Sequence, residues 1–121
     1  MGIEAIREYC LSLPHATEGV QWDNDLLFRV GGKIFAVTSL DLSPNRLSFK
    51  CTPETFAELE EIDGIIPAPY MARNKWVTVQ RLDALSDKEL KELIKHSYDM
   101  IFAKLPKKIQ KTITGNSEMK K

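Results

Sequence analysis

The stretch from Ser86 to Leu105, SDKELKELIKHSYDMIFAKL, constrains the fold most, because its apolar residues recur with a single helical period. Leu90, Leu93, Ile94, Ile101, Phe102 and Leu105 follow one another on one side of a helix, with Ser97 and Tyr98 between them. Ser86 and Glu89 have the spacing of a capping box, and Leu85 and Leu90 stand at the two ends of a hydrophobic staple. Pro106 stops the helix, since it lacks a backbone donor and clashes with the preceding turn. A helix of about 19 residues is roughly 28 Å long, enough to cross a small sheet. The rest of the chain is expected to organise around it.

Upstream, Ile3, Ile6, Cys10 and Leu13 predict a first helix over roughly residues 3–12, closed before Pro14. HATEGVQWDND then reads as a polar, turn-rich passage, in which Trp22 either opens the first strand or plugs the end of the core. Leu26 to Ser39 reads as a hairpin, with Gly31-Gly32 supplying the positive φ angles of a two-residue turn. A turn at DLSPN leads into RLSFK, where Leu47 and Phe49 alternate with Arg46, Ser48 and Lys50. Thr52-Pro53-Glu54 starts a second helix, anchored by Phe56 and Leu59 and ended at Asp63-Gly64. IIPAPYMARNK is expected as an ordered loop, and Trp76 to Arg81 as the last strand before the long helix. Past Pro106, Ile109 and Ile113 suit a short helical turn, and residues 114–121 a flexible tail. Together these give one α+β domain over residues 1–113, in the order α-β-β-β-α-β-α. Its antiparallel sheet of about four to five strands is backed by helices and leaves the opposite face more open.

The 121 residues suit one domain, and an apolar fraction of 43% suffices for one core. No apolar run approaches the roughly 20 residues of a membrane span, and no basic segment followed by an apolar one opens the chain. Cys10 in a helical pattern and Cys51 after a strand fit reduced thiols of a cytoplasmic protein better than a disulfide framework. The net charge of zero conceals an asymmetry. Residues 1–103 carry 11 Lys/Arg against 16 Asp/Glu, whereas residues 104–121 carry 6 lysines against Glu118 alone. An acidic body argues against a dedicated nucleic-acid binder, although local patches outweigh totals.

GGKIFAV at 31–37, LSFKCTPE at 47–54, GIIPAPYM at 64–71 with Trp76 five residues later, and LKELIKHSY at 90–98 form a set fairly specific in order and spacing. By these pieces the chain resembles the MmcQ/YjbR-like family of small single-domain proteins, over nearly its whole length. The resemblance implies a compact α+β fold, compared with double-wing DNA-binding and frataxin-like folds, and a DNA-binding role without enzymatic activity. Before the tryptophan the family pattern runs approximately His-Leu-Asn-Lys-x-His-Trp. Here Tyr70, Met71, Ala72, Arg73, Asn74, Lys75 and Trp76 stand in its place. Arg73 keeps the positive charge, but both histidines are lost, so a role resting on imidazole does not carry over.

Read residue by residue, the candidate site is basic. Arg29, Lys33 and Lys50 fall on adjacent strands, Arg73 and Lys75 on the loop before the last strand, and Trp76 and Tyr70 add flat apolar surface. Such a set holds phosphate oxygens through its cations and stacks a ring on its aromatics. The plainer reading is a solvated sheet face with lysines lying over apolar neighbours. Lys104 complements the helix C-terminus, whereas Lys107, Lys108 and Lys111 either anchor phosphates or belong to a merely soluble terminus. His96 and Ser97 point about 100° apart on a helix, poor geometry for a base and its nucleophile. Ser97 reads instead as bonding the carbonyl four residues back, and Tyr98 as a buried ring. Two histidines and two cysteines without ligand spacing predict no zinc site. Glu54, Glu58 and Glu61 share a helix face, an ordinary solvated surface or, as a resemblance to the acidic helix of frataxin-like proteins would imply, an iron-handling one. No nucleotide-binding glycine loop or paired carboxylates announce an enzyme. The expectation is a binding protein without cofactor, engaging DNA or another anion through the basic face and the 70–76 loop. The alternative is a small-molecule or protein-interaction module with its pocket where the 64–76 loop meets the sheet.

Overall fold

In the computed structural model, which describes residues 2–21, 24–40, 47–69 and 72–118, one antiparallel sheet carries the helices. Its strands are β1 (Thr17–Gln21), β2 (Asp25–Val30), β3 (Lys33–Ser39), β4 (Leu47–Lys50), β5 (Ile65–Pro67) and β6 (Trp76–Val79). They lie in the order β1-β2-β3-β4-β6-β5, so consecutive strands form a meander until β6 slips between β4 and the edge strand β5. The helices are α1 (Ile3–Ser12), α2 (Pro53–Leu59), α3 (Asp87–Ala103) and α4 (Lys107–Glu118). Among the described residues none is long and apolar enough to cross a membrane.

The expected sheet of about four to five strands is short of the six found, and the order α-β-β-β-α-β-α omits two of them. β1 lies in the passage read as turn-rich, where Glu18, Gly19 and Gln21 have little intrinsic strand preference. It forms because Thr17 to Gln21 pair residue by residue with Arg29 to Asp25. β5 lies in the passage read as loop, is three residues long and ends in a proline, which an edge strand tolerates. The short turn expected after Pro106 is a helix of 12 residues. It overlaps the expected tail up to Glu118, and the lysines after it lie outside the described residues. So does Trp22, so neither of its two readings is addressed.

α3 is built as its sequence dictates. Ser86 accepts the Glu89 amide and Glu89 accepts the Ser86 amide, each at 3.1 Å, completing the capping box. Leu90, Ile94, Ser97 and Tyr98 are its buried stripe, packed on β3 and β4. The core beneath it joins Phe28, Phe35, Phe49, Val77 and Val79 to Ile6 and Cys10 of α1. Both cysteines are buried free thiols.

Ser97 performs a different task from the expected bond to its own helix. Its hydroxyl donates to the Phe35 carbonyl at 2.7 Å and accepts the Lys50 amide at 3.0 Å. The β2–β3 register explains why: Phe28 pairs with Ala36 but Arg29 with Ile34, which leaves Phe35 as the extra residue of a bulge. The last β3–β4 pair is Ala36 with Phe49, so Phe35 and Lys50 sit where that ladder ends. A fully buried serine from α3 closes the gap.

Candidate functional site

The end of β4 that Ser97 secures is also where the basic residues gather. Lys50, the last residue of β4, pairs with Trp76 across β4–β6. Its ammonium donates to the Asn74 carbonyl at 2.5 Å. The single 3-10 turn Ala72–Asn74 brings Arg73 and Asn74 to the same place. Lys75 then takes a left-handed φ of 64°, uncommon for a residue with a side chain. This turn is pinned to the strand, since the Lys75 carbonyl accepts both the Cys51 amide at 2.9 Å and the Cys51 thiol at 3.3 Å. The Lys75 ammonium lies 5.0 Å from the centre of the Phe56 ring. α2 is capped by Thr52, whose hydroxyl accepts the Thr55 amide.

Between these elements and the end of α3 lies a cleft of about 490 Å³. Lys50, Arg73, Lys75 and Lys104 line it, with Cys51, Thr52, Pro53 and Asn74 below and Met100 and Ala103 of α3 opposite. No carboxylate or histidine is among the described residues that line it. The positive charge has a cost visible on Lys50. Burial, and then the neighbouring charge of Lys104, push its pKa down. The Cys51 thiol is pushed up to about 11 by burial, against the opposing pull of Lys50 and Lys75. It is therefore a neutral donor and a poor nucleophile at neutral pH.

Three of the six expected site residues, Lys50, Arg73 and Lys75, thus meet in one cleft. Arg29 and Lys33 are not among its lining. Arg29 is in register with Thr17 and Ile34 in the middle of β1–β2–β3, and Lys33 is exposed at the start of β3 opposite Val30. Trp76 is only 5% exposed, so it supports the sheet and offers no open stacking surface. Tyr70, the other expected aromatic, lies outside the described residues. Lys104 is the addition: its sequence context shows a helix end, and only the packing of α3 across β4 shows what that end faces.

The remaining candidates separate clearly. Tyr98 buries its ring edge-on to Phe35, and its hydroxyl donates to the Pro14 carbonyl at 2.6 Å. His96 lines a second groove with Tyr9, Lys88, Lys91, Glu92 and Lys95. There Lys91 stands over the Tyr9 ring and Lys95 pairs with Asp99. α2 ends at Leu59, so the face expected from Glu54, Glu58 and Glu61 is not one continuous helix surface. Among the described residues no three His, Cys, Asp or Glu side chains lie close enough together to hold a metal ion.

Comparison with known proteins agrees with this architecture. The model of the YjbR family matches residues 11–100. The chain is 27% identical to the uncharacterized protein YbdF of Escherichia coli O157:H7 over 88 residues, 72% of each chain. It is similar to the crystal structure of Deinococcus radiodurans protein DR2400, a DUF419 domain, with a TM-score of 0.80 and 27% identity. That likeness covers 93% of this chain and 87% of the other. A Pseudomonas syringae protein solved by structural genomics shares the fold with a TM-score of 0.69 and 24% identity, over 84% of this chain and 99% of its own.

Proposed function

The chain belongs to the YjbR family, and from that premise we propose that it is a non-enzymatic binding protein whose cationic cleft holds a phosphate-bearing ligand. The observation that carries this reading is the convergence of Lys50, Arg73, Lys75 and Lys104 on one concavity whose described lining contains no carboxylate. Like charges so placed repel one another in the free protein, and an anion among them removes that repulsion. Arg73 brings a planar fork that matches two phosphate oxygens, and the lysines act as point charges around it. The thiol of Cys51 stays protonated, and no imidazole or carboxylate among the described lining residues is available as a general base, so the residues favour holding the ligand over cleaving it.

DNA is the polymeric form of such a ligand, and the double-wing likeness implied by the family resemblance supports it by analogy. A small phosphorylated molecule is the other form, supported by the concave shape and by a volume within the usual range of small-molecule pockets. The test is an amide NMR titration with a short DNA duplex, a single strand and pyrophosphate, at ~50 and ~200 mM salt. Resonances of Lys50–Thr52, Arg73–Lys75 and Ala103–Lys104 should move at the lower salt and move less at the higher. Lys50→Glu and Arg73→Glu should each abolish the change. If every anion leaves these residues silent, or charge reversal makes no difference, the proposal is wrong.

A further inference from the structure

The cations of the cleft converge, and that arrangement selects among phosphates. A surface that reads a nucleic-acid backbone presents its positive groups in a row, one for each successive phosphate. Among the described residues, Arg29 and Lys33, which would extend this site into a row along the sheet, are not in its lining. Four cationic residues among those described instead line a single cleft, and burial together with the nearby charge of Lys104 lowers the pKa of Lys50 there. An internal phosphodiester brings one negative charge to such a space, whereas a terminal phosphate monoester brings about 1.5 to 2 near pH 7 and a third free oxygen. Pro53, Met100 and Ala103 give the same cleft apolar lining that suits the organic part of a small ligand.

We infer that the cleft takes a terminal phosphate monoester, with the dianion held by Lys50, Arg73, Lys75 and Lys104. The organic group lies against Pro53 and Met100. This rests on the reading of the cleft as an anion site and narrows it to one ligand chemistry. The monoester is either a free small molecule or the 5′-phosphate end of an oligonucleotide. The neutral Cys51 thiol and the Thr52 hydroxyl complete the polar floor, although the hydroxyl already serves the Thr55 amide as a cap. The charged and titratable groups facing the ligand are thus Lys50, Cys51, Arg73, Lys75 and Lys104. The described lining holds no imidazole or carboxylate to respond between pH 5 and 8, so pH dependence in that range belongs to the ligand.

The experiment compares phenyl phosphate with methyl phenyl phosphate, its singly charged diester, by amide NMR titration of the full chain. In parallel, a single-stranded oligonucleotide with a 5′-phosphate is compared with the same strand ending in a hydroxyl. Phenyl phosphate should move the cleft resonances at least about tenfold more tightly than the diester, a difference of about 1.4 kcal/mol. Its affinity should fall roughly fourfold from about pH 7.5 to about pH 5.5, following loss of the dianion. Arg73→Gln and Lys104→Gln, both at exposed positions, should each weaken binding while resonances remote from the cleft stay in place. Binding of the 5′-phosphate strand equal to phenyl phosphate identifies a polymer end as an acceptable source. Preference for phenyl phosphate identifies a free small molecule. If the diester or the 5′-hydroxyl strand binds the cleft as tightly as its monoester partner, the monoester inference is overturned and the anion site remains. If no phosphate moves the cleft, both fall.

Discussion

Ser97 illustrates how one small side chain ties the core to the site. Its hydroxyl satisfies the carbonyl of the bulged Phe35 and the amide of Lys50, so it joins α3, β3 and β4 at one buried point. Ser97→Ala removes both bonds at a fully buried position and strands two backbone groups. The expected loss is about 1–3 kcal/mol, measured as a lower urea midpoint at unchanged m-value. The amides of Lys50 and Cys51 should also exchange with solvent faster. The helical pattern places Ser97 on the buried side of α3, and that much is legible from its neighbours Leu90, Ile94 and Ile101. Its partners are not legible. They depend on a bulge 62 residues away, and no local signal in GGKIFAV separates a bulged Phe35 from a paired one. The same holds for Trp76. Alternation in WVTVQR marks a strand residue, but whether the indole is covered depends on what packs beside β6.

The elements that can be read from the chain are those that carry their own start and stop signals. α3 has its capping box and Pro106, α2 has Thr52 and Pro53, and the β2–β3 hairpin has Gly31-Gly32. β1 and β5 have no such marks and exist through pairing with β2 and β6. α4 is intermediate: Ile109 and Ile113 signal a turn of helix, and burial of Ile113 in the core extends it. The hairpin turn and this helix are coupled. Gly31 has φ 57°, and a Cβ there would lie 2.6 Å from Leu105 Cδ1 and 3.1 Å from Ile109 Cγ2. Gly31→Ala therefore meets both an unfavourable backbone and a crowded contact. It should cost at least about 1–2 kcal/mol and shift resonances of Leu105 and Ile109. Gly32 has φ 83° but open space around it, so Gly32→Ala should disturb the turn without disturbing α4. Equal perturbation of α4 by both variants would contradict this packing.

For the whole molecule, buried acids set a limit at high pH. Burial raises the Cys10 thiol from 9.0 to about 12 and the Cys51 thiol to about 11, and Tyr9 and Tyr98 are also raised above 10.0. In the unfolded chain these groups ionise earlier, so above pH 9.0 the folded state holds more protons and stability falls as pH rises. Lys50, depressed below 10.5, acts in the opposite sense. Urea midpoints should be flat from about pH 7 to about pH 8.5 and decline by about pH 10, and Cys10→Ala should lessen the decline. A midpoint that rises over this range would show that the thiols are not buried as described. At this scale the charge asymmetry also becomes concrete. The acidic body and lysine-rich end are plain in the composition, yet of the described lysines after Ala103 only Lys104 is among the residues lining the cleft. By itself the sequence determined α2 and α3 with their N-terminal caps, the central hairpin and three of the basic residues that line the cleft, because each rests on signals within a few residues. The tertiary structure decided the two edge strands, the task of Ser97, the burial of Trp76 and the place of Lys104, rather than Arg29 or Lys33, in the lining of the cleft. Those outcomes depend on which distant backbone groups and charges meet when α3 crosses the end of β4.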